Sequence, residues 1–226
     1  MKSEVLTPAR TADDKPPFLF FSRAAGELRD RHTTPMFSRK LTEDIQISLS
    51  IPQFADELYA LTDENREFLR RWLPWLDFVT EKAHTKTFLT KQLSLFANGE
   101  SLHTTIFYRG MIAGVAGFNS IDHYNKIGYI GYWLGEEFNG KGIMTTAVQD
   151  LMLIGQKYYG LQKVDIRCAT QNHRSEAIPK RQGFTHEGTL RLAERVNDEW
   201  FDHHVYAFLL PPMGESDALA DSPRRL

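Results

Sequence analysis

The chain has 226 residues, of which 42% are hydrophobic and 25% are charged, and its formal net charge at pH 7 is −2. These values are ordinary for a globular protein of one domain with extensions, and they argue against a dedicated nucleic-acid or anionic-membrane binder. The one cysteine, Cys168, excludes an internal disulfide framework, and no apolar run reaches the roughly 18–20 residues of a membrane span. We therefore expect a cytoplasmic protein without a membrane segment.

Proline placement divides the chain into three parts. Residues 1–35 contain four prolines and mixed charge without sustained periodicity, and residues 211–226 contain three. Such composition is typical of chain ends that do not pack. We expect a poorly ordered extension over 1–35, one folded domain over 36–210 and a flexible tail over 211–226.

The folded domain opens with one strand pattern and then helices. Apolar residues alternate over 45–51, which predicts a strand. A helix can begin at Pro52, and the helical pattern continues to Pro74. A further amphipathic helix is predicted over 81–97, where an Asn-Gly pair follows and ends it.

The second half alternates strands and helices. Strand patterns occupy 102–108, 111–119 and 127–134, and the Arg109-Gly110 pair predicts a hairpin turn between the first two. A helix follows whose buried face is predicted from Ile143, Ala147, Leu151, Ile154 and Tyr158. A strand at 164–168, a short helix at 174–182 and two strands at 184–196 and 200–210 complete an α+β pattern.

The segment from Trp133 to Met144 carries the clearest chemical signal. It combines a strand, a loop containing Gly140 and Gly142, and the start of a helix. Glycines let the main chain approach a ligand, and the free N–H groups at a helix start favour an anion. The segment lacks the Gly-Lys-Ser/Thr ending of a nucleotide P-loop. Alone, it also fits a plain strand-to-helix turn.

A second segment, from Asn172 to Phe184, makes the signal of the first more specific. Together the two resemble the pyrophosphate loop and the Asn…Gly-Phe helix of the GNAT acetyltransferase superfamily. Over 41–210 the chain is most similar to the RimL/RimJ-type ribosomal-protein N-acetyltransferase branch. The resemblance implies a mixed central sheet, flanked by helices, that holds acetyl-CoA between two splayed parallel strands, here 127–134 and 163–170.

The resemblance also implies which residues bind acetyl-CoA. They are Trp133, Leu134, Phe138, Asn139, Gly140, Lys141, Gly142, Ile143, Asn172 and Ser175. We expect main-chain amides to bind the pyrophosphate, because the first loop residue, often Gln or Arg in the family, is Glu137 here.

Catalytic roles follow from the same resemblance. Carried over from RimL-like enzymes, Glu194 is the candidate general base and Ser175 the candidate general acid. The tyrosine acid of many superfamily members is replaced by Pro179, which has no proton to donate and cannot bond the Ser175 carbonyl. Each candidate keeps a structural alternative, since Glu194 can be a surface carboxylate and Ser175 a helix cap.

The two tryptophans and the cysteine have two interpretations each. Trp72 and Trp75 can bind the acceptor substrate, or they can anchor helices against the sheet. Cys168 shares the apolar alternation of its strand, so we expect a core residue rather than a nucleophile. No zinc-binding pattern is present, and we expect no metal.

The sequence thus predicts an acetyl-CoA-dependent N-acetyltransferase that acts by direct transfer on an amine, the N-terminal α-amine of a ribosomal protein being the preferred acceptor. Two alternatives stay open. One is an acetyltransferase for a small-molecule amine such as a polyamine, an antibiotic or an amino acid. The other is a non-catalytic acyl-CoA-binding or ribosome-associated module. RimL relatives suggest a homodimer, and direct nucleic-acid binding is not expected.

Overall fold

A mixed sheet of eight strands dominates the computed structural model, which describes residues 37–212. The strands are β1 (Ser38–Lys40), β2 (Ile45–Leu49), β3 (Leu102–Tyr108), β4 (Met111–Asp122), β5 (Ile127–Leu134), β6 (Lys163–Ala169), β7 (Thr185–Val196) and β8 (Glu199–Leu209). Their spatial order is β1-β2-β3-β4-β5-β6-β8-β7. The predicted extension over 1–35 and all but the first two residues of the predicted tail over 211–226 lie outside the described residues.

Helices cover both faces of this sheet. They are α1 (Ala55–Glu64), α2 (Arg66–Arg70), α3 (Lys82–Ala97), α4 (Ile143–Tyr159) and α5 (His173–Arg181). The helix predicted from Pro52 to Pro74 is broken at Asn65, whose side-chain amide donates to the Leu61 carbonyl and accepts from the Glu136 N–H. Within the described residues, no helix has the length and apolar character needed to cross a membrane.

The strands of the sheet separate at one place. Every neighbouring pair is antiparallel except β5 and β6, where Ile127–Ile130 pairs in parallel with Lys163–Ile166. Beyond these residues β5 continues along β4, and β6 continues along β8. Gly131–Leu134 and Arg167–Ala169 therefore diverge, and we name the space between them the interstrand gap. The splayed parallel strands expected from the resemblance are confirmed.

The gap begins opposite a β-bulge in β4. Phe118 pairs with Ile130 while Ser120 pairs with Tyr129, so Asn119 is the extra residue. A bulge bends its strand and increases the local twist. Because Ile130 is also the last β5 residue paired with β6, the bend and the separation of the strands coincide.

Residue alternation gives the gap two chemically distinct faces. The Tyr132 hydroxyl reaches α5, and we name that side the α5 face. Trp133 points to the opposite side, where its ring lies 6.3 Å from that of Trp75, and we name this the Trp75 face. On β8, His204 contacts α5, so its neighbour His203 points to the Trp75 face.

The buried stripe of α4 packs on the sheet, as the apolar spacing predicts. Val148 and Leu151 are fully buried. The stripe ends earlier than predicted, because Tyr158 is 62% exposed and Tyr159 packs its ring on Phe118 instead. The apolar spacing thus overpredicts the buried stripe by one helical turn.

Leu151→Ala is expected to lower the free energy of unfolding by about 2–5 kcal/mol, since it removes a fully buried side chain and leaves a cavity. Leu153→Ala, on the same helix at a position that is 59% exposed, is the control and should change it by less than about 0.5 kcal/mol. Urea unfolding of both variants measures the difference. Equal effects would contradict the packing described.

Candidate active site

A cavity of about 1550 Å³ passes through the interstrand gap. Its walls come from the diverging parts of β5 and β6, the start of α5, the helical region from α1 to α3, and the paired strands β7 and β8. Residues from both faces of the sheet therefore line one continuous space. A ligand in the gap can be reached from either side.

The cavity brings together part of the predicted cofactor site. Of the ten predicted residues, the five that line it are Trp133, Leu134, Asn139, Asn172 and Ser175. The remaining five occupy the loop after β5 and the first residue of α4: Phe138, Gly140, Lys141, Gly142 and Ile143. Phe138 and Ile143 are buried. The other predicted site residues, Glu194, Trp72 and Trp75, also line the cavity.

The loop before α4 has the geometry of an anion site. Gly140 and Gly142 are left-handed, with φ of 76° and 75°, a conformation that favours glycine. Gly142 caps α4 without a side-chain bond, and the first turn of α4 carries no acidic residue. The N–H groups of that turn are therefore available to an anionic ligand. The Lys141 ammonium donates to the Glu137 carbonyl.

The edge of β5 that faces the gap offers main-chain hydrogen bonds. Within residues 37–212, no strand pairs with this edge of Gly131–Leu134. Main-chain N–H and C=O groups are costly to leave without partners. An extended ligand with amide groups can satisfy them as an added strand would.

The start of α5 is organised by Asn172 rather than by Ser175. The Asn172 Oδ1 accepts a hydrogen bond from the Ser175 N–H at 3.1 Å, so Asn172 is the N-cap. Ser175 therefore does not cap the helix, which was the structural alternative for this residue. Its hydroxyl instead lies 3.4 Å from the Tyr132 hydroxyl across the gap.

Tyr132 provides the hydrogen bond that Pro179 cannot. Pro179 lies inside α5 and has no N–H for the Ser175 carbonyl four residues earlier. The Tyr132 hydroxyl donates to that carbonyl at 3.0 Å. Burial raises the pKa of Tyr132, so its hydroxyl stays protonated and keeps donating. The tyrosine thus ties β5 to the helix turn that carries Ser175.

Glu176 fixes the same turn to β8. Its buried carboxylate accepts from the Tyr206 hydroxyl at 2.6 Å and lies 2.9 Å from His204 Nδ1 and from the Lys180 ammonium. The hydrogen bond from Tyr206, followed by that from Lys180, lowers the pKa of Glu176 to about 2. Ser175 is therefore held from two directions, through Tyr132 and through its neighbour Glu176.

A bulge of three residues in β7 brings Glu194 to the cavity. Leu190 pairs with His203 and Glu194 with Phe201, so three β7 residues lie opposite Asp202 alone. The Asp202 carboxylate accepts the N–H of Leu192, which has a left-handed φ of 49°. Glu194 is partly exposed, with its Oε2 3.3 Å from His203 Nε2.

The two tryptophans line the cavity and also anchor its walls. The Trp72 ring lies 6.0 Å from that of Phe201 on β8, and the Trp75 ring lies 6.3 Å from that of Trp133 on β5. These packing contacts join the region after α2 to both sides of the gap. The two interpretations of these residues are therefore compatible.

Cys168 lines the cavity but is only 5% exposed. Burial raises its pKa to about 11. The thiolate, which is the reactive form, is therefore scarce at neutral pH. Among the described residues, no group of three or more His, Cys, Asp or Glu side chains is arranged to hold a metal ion.

Sequence reasoning missed the side chains that support the predicted ones. Tyr132, Glu176, Asp202 and His203 belong to this group. The one available signal was Pro179, which predicts an unpartnered carbonyl at Ser175 but not the donor that reaches it. No local pattern marks the other three.

Comparison with known proteins agrees with this geometry. Residues 49–185 match the family model described as an acetyltransferase (GNAT) domain. The ribosomal-protein-serine acetyltransferase of Escherichia coli is 31% identical over 171 residues, which are 76% of this chain and 96% of that protein.

Two solved structures share both fold and sequence. The microcin self-immunity acetyltransferase MccE, in complex with acetyl-CoA and AMP, has a TM-score of 0.74 and 35% identity over 78% of this chain and 98% of its own. RimL, a ribosomal-protein α-N-acetyltransferase in complex with coenzyme A, has a TM-score of 0.74 and 30% identity over 76% of this chain and 98% of its own. The chain therefore belongs to the GNAT acetyltransferase family, in its RimL/RimJ branch, and is an acyltransferase whose co-substrate is acetyl-CoA.

Proposed function

We propose that this enzyme acetylates the N-terminal α-amine of a ribosomal protein by direct transfer from acetyl-CoA. Glu194 acts as the general base and Ser175 as the general acid. The main support for these two roles is that both residues line the same cavity from different walls. Ser175 comes from α5, on the α5 face, whereas Glu194 lies beside His203 on the Trp75 face.

The reaction has three needs, and residues of the cavity can meet each. The acceptor ammonium loses a proton to Glu194, and the free amine attacks the thioester carbon. Main-chain N–H groups on the unpaired edge of Gly131–Leu134 can donate to the oxyanion that forms. When the carbon–sulfur bond breaks, Ser175 donates its hydroxyl proton to the departing thiolate. The nitrogen loses its second proton to water as the amide forms, and water returns a proton to the Ser175 oxygen.

Direct transfer is favoured over a covalent acetyl-enzyme. Cys168 is the cysteine available within the described residues, and it is buried with a pKa raised to about 11. A nucleophile of this kind would need a base to activate it. The charge of the Glu176 carboxylate raises the pKa of the Cys168 thiol further. This carboxylate already accepts hydrogen bonds from Tyr206, His204 and Lys180, so it is not a free base for the thiol.

The acceptor class rests on the relatives and divides into two candidates. The name of the Escherichia coli relative specifies ribosomal-protein serine, and that of RimL specifies a ribosomal-protein α-amine, which supports a protein N-terminus. MccE is a self-immunity acetyltransferase solved with AMP, which favours a small-molecule amine as the second candidate.

An acceptor panel separates these candidates. Thiol release from acetyl-CoA is measured with peptides that copy ribosomal-protein N-termini, with polyamines, and with aminoacyl and aminoglycoside amines. We expect turnover on the peptides, with mass spectrometry placing the acetyl group on the α-amine. Turnover confined to the small amines would replace the first candidate with the second.

Glu194→Gln is expected to lower kcat by about 10²- to 10⁴-fold, because the amide keeps the shape of the side chain but accepts no proton. The dissociation constant for acetyl-CoA, measured by calorimetry, should change little. Glu187→Gln is the matched control, since Glu187 is on the same strand and pairs with Lys163 outside the cavity. A Glu194→Gln enzyme with wild-type kcat would eliminate this residue as the base.

Tyr132→Phe is expected to lower kcat by about 10-fold and the free energy of unfolding by about 1 kcal/mol, because the Ser175 carbonyl loses its donor. In a Pro179→Ala background the new N–H can reach the same carbonyl, so Tyr132→Phe should destabilise that variant less. Denaturant unfolding of the four proteins gives the comparison. An equal cost in both backgrounds would show that the tyrosine does not replace the missing N–H.

A further inference from the structure

His203 faces the proposed base and has no assigned role. Its side chain is 15% exposed, lines the cavity on the Trp75 face, and places Nε2 3.3 Å from Glu194 Oε2. Within residues 37–212, its Nδ1 contacts no hydrogen-bond partner. The imidazole is therefore enclosed beside one carboxylate and is free of other polar protein contacts in the described part of the chain.

The β7 bulge creates this pair. Leu190 pairs with His203, and an unbroken antiparallel ladder would then place Glu194 opposite Glu199. The bulge moves Glu194 two positions, so that it lies opposite Phe201 and becomes a diagonal neighbour of His203. Since cross-strand diagonal neighbours are within reach of long side chains, the register shift accounts for the contact.

We propose that His203 is the proton reservoir of the catalytic base. This inference rests on the proposed role of Glu194. In one step the acceptor ammonium transfers a proton to the Glu194 carboxylate. In the next, the protonated carboxyl passes a proton to Nε2 of neutral His203. The products are the free amine, the Glu194 carboxylate and the His203 imidazolium, which returns its proton to water after transfer.

The energetics of proton transfer favour this arrangement. In water the reference pKa is about 7.7–8.0 for an α-amine, about 4.3 for a glutamate and about 6.5 for a histidine. Transfer from the ammonium to a carboxylate alone is thus uphill by more than three pKa units, whereas transfer to an imidazole is uphill by only a little over one.

The other charged side chains of the cavity do not compete for this pair. They come from five places: Asp165 and Arg167 from β6, Glu67 and Arg71 from α2 and the residue after it, His173 and Arg174 from α5, Glu136 from the loop after β5, and His103 from β3. In the described part of the chain none of them forms an ion pair with Glu194 or His203. Among these side chains, Glu194 and His203 therefore form an ion pair only with each other.

His203→Gln tests the proposal, because glutamine can still donate to Glu194 but does not titrate. We expect kcat at saturating acceptor to fall about 10-fold near pH 7. The pH at which kcat falls on the acid side of the pH–rate profile should decrease by at least one unit. In this variant the protonation of a carboxylate, rather than of an imidazole, stops the reaction. Added imidazole should restore part of the rate lost in His203→Ala. His84→Gln is the control, because His84 pairs with Glu81 outside the cavity at 3.6 Å.

Two results would overturn the proposal. One is a His203→Gln profile that superimposes on that of the wild type. The other is a loss of rate with an unchanged acid limb and no rescue by imidazole, which would indicate a purely structural residue. Acetyl-CoA binding by each variant reports whether the fold is intact. Glu194→Gln is measured in parallel. If it is fully active, the proposed base itself fails, whereas an inactive Glu194→Gln with a normal His203→Gln removes only the reservoir.

Discussion

The loss of pairing between β5 and β6 is the constraint on which the site depends. The parallel pairing lasts four residues, and the two strands then follow different partners, β4 and β8. A row of main-chain donors and acceptors is left along Gly131–Leu134, and these groups need partners. The opening also joins the two faces of the sheet in one cavity, so a single acyl carbon can be approached from both sides.

Helix α5 shows how a local defect is stabilised from a distance. Pro179 removes a hydrogen bond from the helix, and Tyr132 supplies it from the edge of the gap. The buried Glu176 then binds the same helix to β8. Since the pKa of Glu176 is lowered, this contribution to stability is complete above about pH 4.5 and is lost as the pH falls towards 2. The turn that carries Ser175 is thereby fixed at neutral pH.

Local patterns predicted most elements of the fold, and long-range contacts account for what they missed. Alternation predicted the longer strands, and the left-handed Arg109 and Gly110 form the predicted hairpin turn. Strand β1 has only three residues and was not predicted. Its Arg39 binds the buried Asp150 of α4, 111 residues away. Resemblance to a family supplied Glu194 and Ser175, but it could not supply Tyr132, which lies 43 residues from its partner.

The register shifts of two strands determine where the gap opens and which residue Glu194 meets. The bulge at Asn119 coincides with the opening of the gap, and the bulge before Glu194 brings that carboxylate to His203. Bulges have no simple sequence signature, so neither position could be read from alternation. A shift of two positions leaves Glu194 on the Trp75 face, where alternation along β7 places it, whereas Ser175 lies on the α5 face with its helix. Because the two groups face different sides of the sheet, the proposed mechanism keeps the proton taken from the amine apart from the departing sulfur.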